Sequence, residues 1–247
     1  MDIEELKELA YKKKKDLPVY ATRITHKISI RIVDLLRHRK IEPDKITVLS
    51  IFLGMFSALL FCCMNKYCIV SAALILELYY IFDAVDGQLA RAVKKTSLTG
   101  AYFDYISSHI VHSLVFLGIG FGLYLYADNI IYLIAGVFAC WGMLFMYIIQ
   151  DARNSVILVH GGGAARETVL PEPKSDAKGR ANLKRAFVLL HEFCRYPTIM
   201  NVITIFAILN LLTGPGLFRI LILFYAIALN IVWCFKLSKV ILKKELG

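Results

Sequence analysis

Six stretches of this chain, at 46–64, 67–82, 105–127, 129–150, 196–218 and 220–235, carry no Asp, Glu, Lys or Arg apart from Glu77. A helix needs about 20 apolar residues to cross the hydrocarbon core of a bilayer, within a range of roughly 17 to 25. Four of the stretches reach that length unaided. The 67–82 stretch can continue as helix beyond its apolar part, and the last can let Lys236 reach the interface on its long side chain. The composition agrees, with 58% hydrophobic residues, 19% charged residues and a mean hydropathy of +0.61, which a water-soluble domain seldom shows. The pattern predicts an all-α integral membrane protein with six transmembrane helices.

An even number of spans puts both ends of the chain on one side, and positive charge says which side. Of 29 Lys and Arg, only Lys66 and Arg219 fall in the loops of one face. Lys and Arg accumulate in cytoplasmic loops, so both termini, the 83–104 connection and the 152–197 loop are expected in the cytoplasm. The same distribution accounts for the net charge of +10. Basic residues beside a membrane set topology and meet anionic headgroups. No basic stripe interleaved with aromatics is visible, so nucleic acid is not an expected partner.

Residues 1–45 read as two amphipathic interfacial helices divided near Pro18. In the second, Ile24, Ile28, Ile32, Leu35 and Leu36 share one face, with Arg23, Lys27, Arg31, Arg37 and Arg39 around the rest. Residues 1–15 have no apolar core of the kind a cleavable signal carries. Pro43 to Thr47 reads as the start of the first span. Residues 46–240 then form the six-helix domain, and 241–247 a cytoplasmic tail. The 152–197 loop holds Gly161-Gly162-Gly163, Pro171 and Pro173, which read as a linker, followed by a short amphipathic helix over 183–193. The triple glycine lacks the Gly-Lys-Ser/Thr ending of a phosphate-cradling loop. None of the six cysteines has metal-ligand spacing, and they read as small buried hydrophobes.

The chemistry concentrates where the second span meets the cytoplasm. Asp83 and Asp86 project from one helix face at i and i+3, with Ala90 a turn beyond, and Gly87 and Ala90 leave a surface without bulk beside them. Asp104, on the next helix, can face this pair if the two helices are antiparallel neighbours. A carboxylate at a membrane boundary is costly, roughly 2.5 to 3.5 kcal/mol at the bilayer centre, and three together point to a bound cation.

Asp83, Asp86, Gly87, Ala90, Arg91, Gly100 and Asp104 resemble the CDP-alcohol phosphotransferase signature D-x2-D-G-x2-A-R-x8-G-x3-D-x3-D. Seven of its eight positions are kept at the right spacing. The eighth, an Asp in that pattern, is Ser108 here. The Pro43-Asp44-Lys45-Ile46-Thr47 run is similar to a helix start found in the same family, with Asp44 in place of Asn. The resemblance implies a membrane enzyme that transfers a substituted phosphate from a CDP-alcohol, such as CDP-diacylglycerol, to a hydroxyl of a polar or phosphorylated acceptor. CMP leaves, and the product is a phospholipid linkage. It implies that Asp83, Asp86 and Asp104 hold two divalent cations, that Gly87, Ala90, Arg91 and Gly100 serve the nucleotide and its phosphates, and that the enzyme is a homodimer among membrane lipids. Carboxylates without thiolate or imidazole among them favour hard ions, so Mg²⁺ or Mn²⁺ is expected. Arg153, Arg166, Lys184, Arg185 and Arg195 can meet a phosphorylated acceptor or serve only as anchors.

In the family pattern the last Asp contacts metal and takes the acceptor proton, and a serine hydroxyl does neither well. Three readings of Ser108 stay open. His112, one turn further on the same face, takes the proton directly or through Ser108. The acceptor manages without a protein base. Or turnover is lost, leaving a silent metal- and nucleotide-binding homologue or scaffold. His109 points about 100° away from Ser108 on the helix. A third functional class, an ion-coupled transporter, would need polar groups continuing towards the far side, and beyond Asp104 the third span offers only Ser, His and Gly.

Overall fold

The computed structural model describes residue 6 and residues 20–39, 41–160 and 178–243. These form helices α1 (Tyr20–Arg37), α2 (Pro43–Phe61), α3 (Lys66–Ala92), α4 (Leu98–Ala127), α5 (Ile130–His160), α6 (Lys178–Phe193), α7 (Tyr196–Thr213) and α8 (Gly216–Lys243). No strand occurs among the described residues. Six of the helices, α2 to α5, α7 and α8, are long and apolar enough to cross a membrane. The interfacial helix expected before Pro18, the triple glycine with Pro171 and Pro173, and the last four residues lie outside the described residues.

Local chemistry sets the helix ends. Pro43 opens α2 in its first turn, where a missing N–H is no loss. Asn65 caps α3 by accepting the Tyr67 N–H at 3.0 Å, and Ser97 caps α4 by accepting the Gly100 N–H at 2.8 Å. The turn expected around 213–216 is present, with Gly214 at φ 73° between α7 and α8.

The bundle is organised about α4. More than half of its membrane-crossing window, 56%, is buried inside the protein, against 33 to 39% for the other five spans. Lipid tails are as apolar as leucine, so helices in a bilayer associate through close backbone approach and interhelical hydrogen bonds. Gly118 and Gly122, four residues apart, lie against the carbonyls of Ala58 and Phe61 on α2, and Gly120 meets Gly136 of α5 backbone to backbone. Polar side chains tie the remaining pairs. Ser57 donates to the Ala72 carbonyl at 2.8 Å, Thr204 to Glu77 at 2.8 Å, and Asn230 to the Phe138 carbonyl at 2.9 Å.

Helix α1 departs from the expected geometry in one respect. A single apolar stripe is expected on α1, but the helix has two apolar faces. Ile30 and Val33 are buried against Val85 and Leu89 of α3, while Ile28 and Leu35 remain exposed at 42% and 60%. The helix is a wedge between the bundle and its surroundings, and it lies on the part of α3 that carries the acidic motif.

A side chain at Gly118 would collide with a backbone carbonyl that has no freedom to move, whereas Gly216 has open space around it. Gly118→Leu is therefore expected to cost at least about 1–3 kcal/mol and to abolish or sharply reduce the monodisperse peak in detergent. Gly216→Ala is expected to leave the peak and the thermal midpoint unchanged.

Candidate active site

Three helix ends converge at the acidic motif. The first turn of α2 supplies Asp44 and Thr47, the last turns of α3 supply Asp86, Gly87, Ala90 and Arg91, and the first turns of α4 supply Gly100 and Asp104. Together they line a cavity of about 220 Å³. Lys94, held in the left-handed region at φ 55°, helps reverse the chain between α3 and α4. Of the nine site residues expected from the sequence, six share this cavity.

Asp83 lies one turn deeper on α3. It interacts with both Asp86 and Asp104, and Asp86 in turn feels Asp104. Asp83 Oδ1 and both carboxylate oxygens of Asp86 are buried with no hydrogen-bond partner. The Thr47 hydroxyl on α2, which lies beside the Asp86 carboxyl, donates to the Pro43 carbonyl at 3.4 Å. Buried polar oxygens without partners are rare in folded proteins, because each loses its hydration without replacement. Arg91 is the cation recorded against this cluster, interacting with Asp104 and Asp86. Its guanidinium folds back across Gly87, where a Cβ would stand 3.3 Å from Nη1. Gly87 therefore makes room for Arg91 as well as for a ligand. Among the described residues, no three His, Cys, Asp or Glu side chains are already closed around a metal position. The all-oxygen donor set and its unpartnered atoms nevertheless suit a hard divalent cation.

Gly100 is constrained from two sides. A Cβ there would lie 2.9 Å from Ser97 Oγ, which caps the helix, and 3.0 Å from Asp44 Oδ1. Asp44 and Thr47 were legible only as a helix start. The structure makes them cavity walls, and their i, i+3 spacing at a helix N-terminus was the available signal.

Ser108 and His112 lie behind the acidic cluster. The Ser108 hydroxyl donates to the Asp104 carbonyl at 3.3 Å and sits beside the Tyr79 hydroxyl. His112 is 5% exposed, stacked on Tyr196, with Nε2 3.2 Å from the Tyr79 hydroxyl and Nδ1 bonded to the Tyr147 hydroxyl. A hydroxyl can give or receive a hydrogen bond, so a neutral imidazole satisfies both tyrosines at once. His109 turns towards α5, where Nε2 meets Asp151 Oδ2 at 2.8 Å. Of the loop cations, Arg195 pairs with Glu192 at 3.2 Å, and Arg185 is exposed. Arg166 lies outside the described residues, as does the Lys184 side chain.

Sequence reasoning missed a second support, on α1. The buried Gln88 carboxamide accepts from Ser29 Oγ at 2.9 Å and donates to His26 Nδ1 at 2.8 Å, so α1 is fastened to the motif helix between Asp86 and Arg91. Burial, with Arg91 nearby, pushes His26 below its ordinary value of 6.5. The folded state thus takes up this proton less readily than the unfolded one, so the contribution of His26 is intact above 6.5 and declines as pH falls below it. The protection of α1 amides, after correction for the pH dependence of intrinsic exchange, is expected to fall between pH 7.5 and 5.5, and His26→Leu should remove that fall.

The comparisons with known proteins bear on this arrangement directly. A family model described as CDP-alcohol phosphatidyltransferase matches residues 40–235. The chain belongs to the CDP-alcohol phosphatidyltransferase family. It is an integral, multi-pass membrane protein by architecture. Similar curated proteins include a bifunctional IPC transferase and DIPP synthase of Thermococcus kodakarensis, 35% identical over 88 residues, covering 36% of this chain and 19% of that one. The protein of the same description from Archaeoglobus fulgidus is 37% identical over 92 residues, covering 37% and 18% respectively. The chain thus aligns with about a fifth of the length of these relatives. Among solved structures, a phosphatidylinositol phosphate synthase of Mycobacterium tuberculosis, crystallised with CDP-DAG bound, has the same fold. Its TM-score is 0.63 at 17% identity, over 87% of this chain and 94% of that one.

Proposed function

We propose that this protein transfers a phosphatidyl-type group from a CDP-linked lipid to the hydroxyl of a polar acceptor and releases CMP, in phospholipid biosynthesis. Family membership supports the reaction class. The observation that carries the site is the set of buried, unpartnered oxygens on Asp83 and Asp86, facing Asp104 across the α3–α4 junction. Three carboxylates in so small a volume repel one another, and a divalent cation would offset that repulsion.

In this reading Asp83, Asp86 and Asp104 hold one or two Mg²⁺ or Mn²⁺ ions. Bound there, the ions supply charge neutralisation for a pyrophosphate and for the leaving CMP. The chain's own residues provide the rest. Gly87 and Ala90 leave the α3 surface flat for the cytidine, Gly100 leaves room for the Ser97 cap and the Asp44 carboxylate at the cavity wall, and Arg91 pairs with phosphate oxygens once the carboxylates are satisfied by cations. Ser108, anchored to the Asp104 carbonyl, orients the α4 turn that presents Asp104, and His112 fixes the tyrosine layer beneath it. The site faces the cytoplasm, as the distribution of Lys and Arg argues. The acceptor is a polar or phosphorylated alcohol, and the active form is a homodimer.

Ser108 supports a second reading, in which the chain binds metal and nucleotide without turnover. One assay separates the two: purified protein, CDP-diacylglycerol, Mn²⁺ or Mg²⁺ and a panel of polar alcohols, with CMP release as the readout. Acceptor-dependent CMP is expected, lost on chelation and restored by either ion. Asp86→Asn or Asp104→Asn should lower it by at least about 100-fold. Binding of Mn²⁺ and CMP with no release under any acceptor would establish the silent homologue instead.

A further inference from the structure

We infer that Lys95 binds a phosphate of the donor nucleotide, as a second cation on the cavity wall that the acidic cluster leaves unpaired. The inference rests on the transfer reaction proposed above and adds to its donor site a contact at a position the signature leaves open.

The end of α3 fixes where Lys95 stands. The Lys95 N–H donates to the Ala90 carbonyl at 2.9 Å and the Lys94 N–H to the Arg91 carbonyl at 3.1 Å, with Lys94 in the left-handed region at φ 55°. This pair of bonds is a common helix stop, and here it ties the Lys95 backbone to two residues of the cavity wall. In such a stop the residue at the Lys95 position frequently makes an apolar contact back onto the helix. A lysine forgoes that contact. Lys95 instead lines the cavity beside Thr96 and Ser97, in company with Asp44, Asp86 and Asp104.

The two cations of this wall differ in their partners. Arg91 folds across Gly87 and interacts with Asp104 and Asp86. Lys95 is exposed and makes no ion pair among the described residues, although three carboxylates line the same cavity. An ammonium on a flexible stem is a phosphate ligand in its own right, acting as a point charge. The cavity is small, about 220 Å³, so a group on its wall is close to whatever fills it. The nucleotide is the source of the phosphate, because Lys95 shares its wall with Gly87, Ala90 and Gly100. Arg185 and Arg195, the cations considered for a phosphorylated acceptor, do not line it.

A lysine at this place also has a simpler use, since cations at a helix C-terminus complement its dipole. That use applies equally to Lys94, which is exposed and does not line the cavity. Comparing the two neighbours therefore separates a phosphate contact from a general positive field.

The test compares Lys95→Met, Lys95→Arg and Lys94→Met with the unsubstituted protein in detergent with Mn²⁺. It measures CMP affinity by calorimetry at low and high salt, cytidine affinity by competition against CMP, the KM for glycerol phosphate as acceptor, and the thermal midpoint. A hydrogen bond to a charged group contributes on the order of 10-fold in affinity, and at an exposed site salt screens it. Lys95→Met is therefore expected to weaken CMP about 10-fold at low salt and less at high salt, with cytidine affinity and thermal midpoint unchanged. Lys95→Arg should keep most of the affinity, and Lys94→Met all of it. Unchanged CMP affinity in Lys95→Met, with the unsubstituted protein binding CMP, would overturn the inference and leave the proposed function standing. An equal loss in Lys94→Met, or an equal loss for cytidine, would overturn it too, as a general field or a contact to the nucleoside. So would a rise in KM for glycerol phosphate with CMP affinity kept, which assigns Lys95 to the acceptor. If the unsubstituted protein binds no CMP, the proposed reaction fails and this inference fails with it.

Discussion

Mutual repulsion among Asp83, Asp86 and Asp104 is the constraint on which the rest of the arrangement depends. Their helices bring the three carboxylates together where α3 leaves the apolar layer, and oxygens of two of them have no partner. Like charges in a medium of low dielectric are unstable unless compensated. Arg91 is drawn over Gly87 towards the cluster. The close packing at Gly118, Gly120 and Gly122 has its purpose here, because it fixes α2, α4 and α5 at backbone contact. That in turn fixes the position of Asp104 relative to Asp83.

Much of this was legible in the sequence, for reasons that differ from element to element. The six spans follow from transfer energetics alone, which is why their number and order match the structure. The i, i+3 spacing of Asp83 and Asp86 fixed their common face once α3 was recognised as running past its apolar stretch. Gly100 and Asp104 were harder to place. The apolar stretch of α4 begins at Tyr105, but Ser97 caps the helix and starts it at Leu98, so both residues ride on its first turns. Contacts outside the motif between distant segments were not legible. Nothing in the local pattern tells that Gln88 is gripped by His26 and Ser29, or that His109 meets Asp151 across 42 residues. Such pairs depend on helix rotation, which hydropathy leaves undetermined wherever two faces of a helix are apolar, as in α1.

The histidines show how partner chemistry separates residues that sequence treats alike. His112 stands at the attractive i+4 spacing from Ser108, yet the structure surrounds it with Tyr79, Tyr147 and Tyr196 as part of a buried aromatic layer. His109 points off the motif face and meets a carboxylate.

The central claim is that these three carboxylates gather a divalent cation at the α3–α4 junction. The most direct measurement is anomalous diffraction from crystals grown with Mn²⁺. The account predicts an anomalous peak within about 2.0–2.4 Å of oxygens from Asp83, Asp86 and Asp104. Manganese bound only elsewhere, or the three side chains splayed apart in its presence, would contradict it.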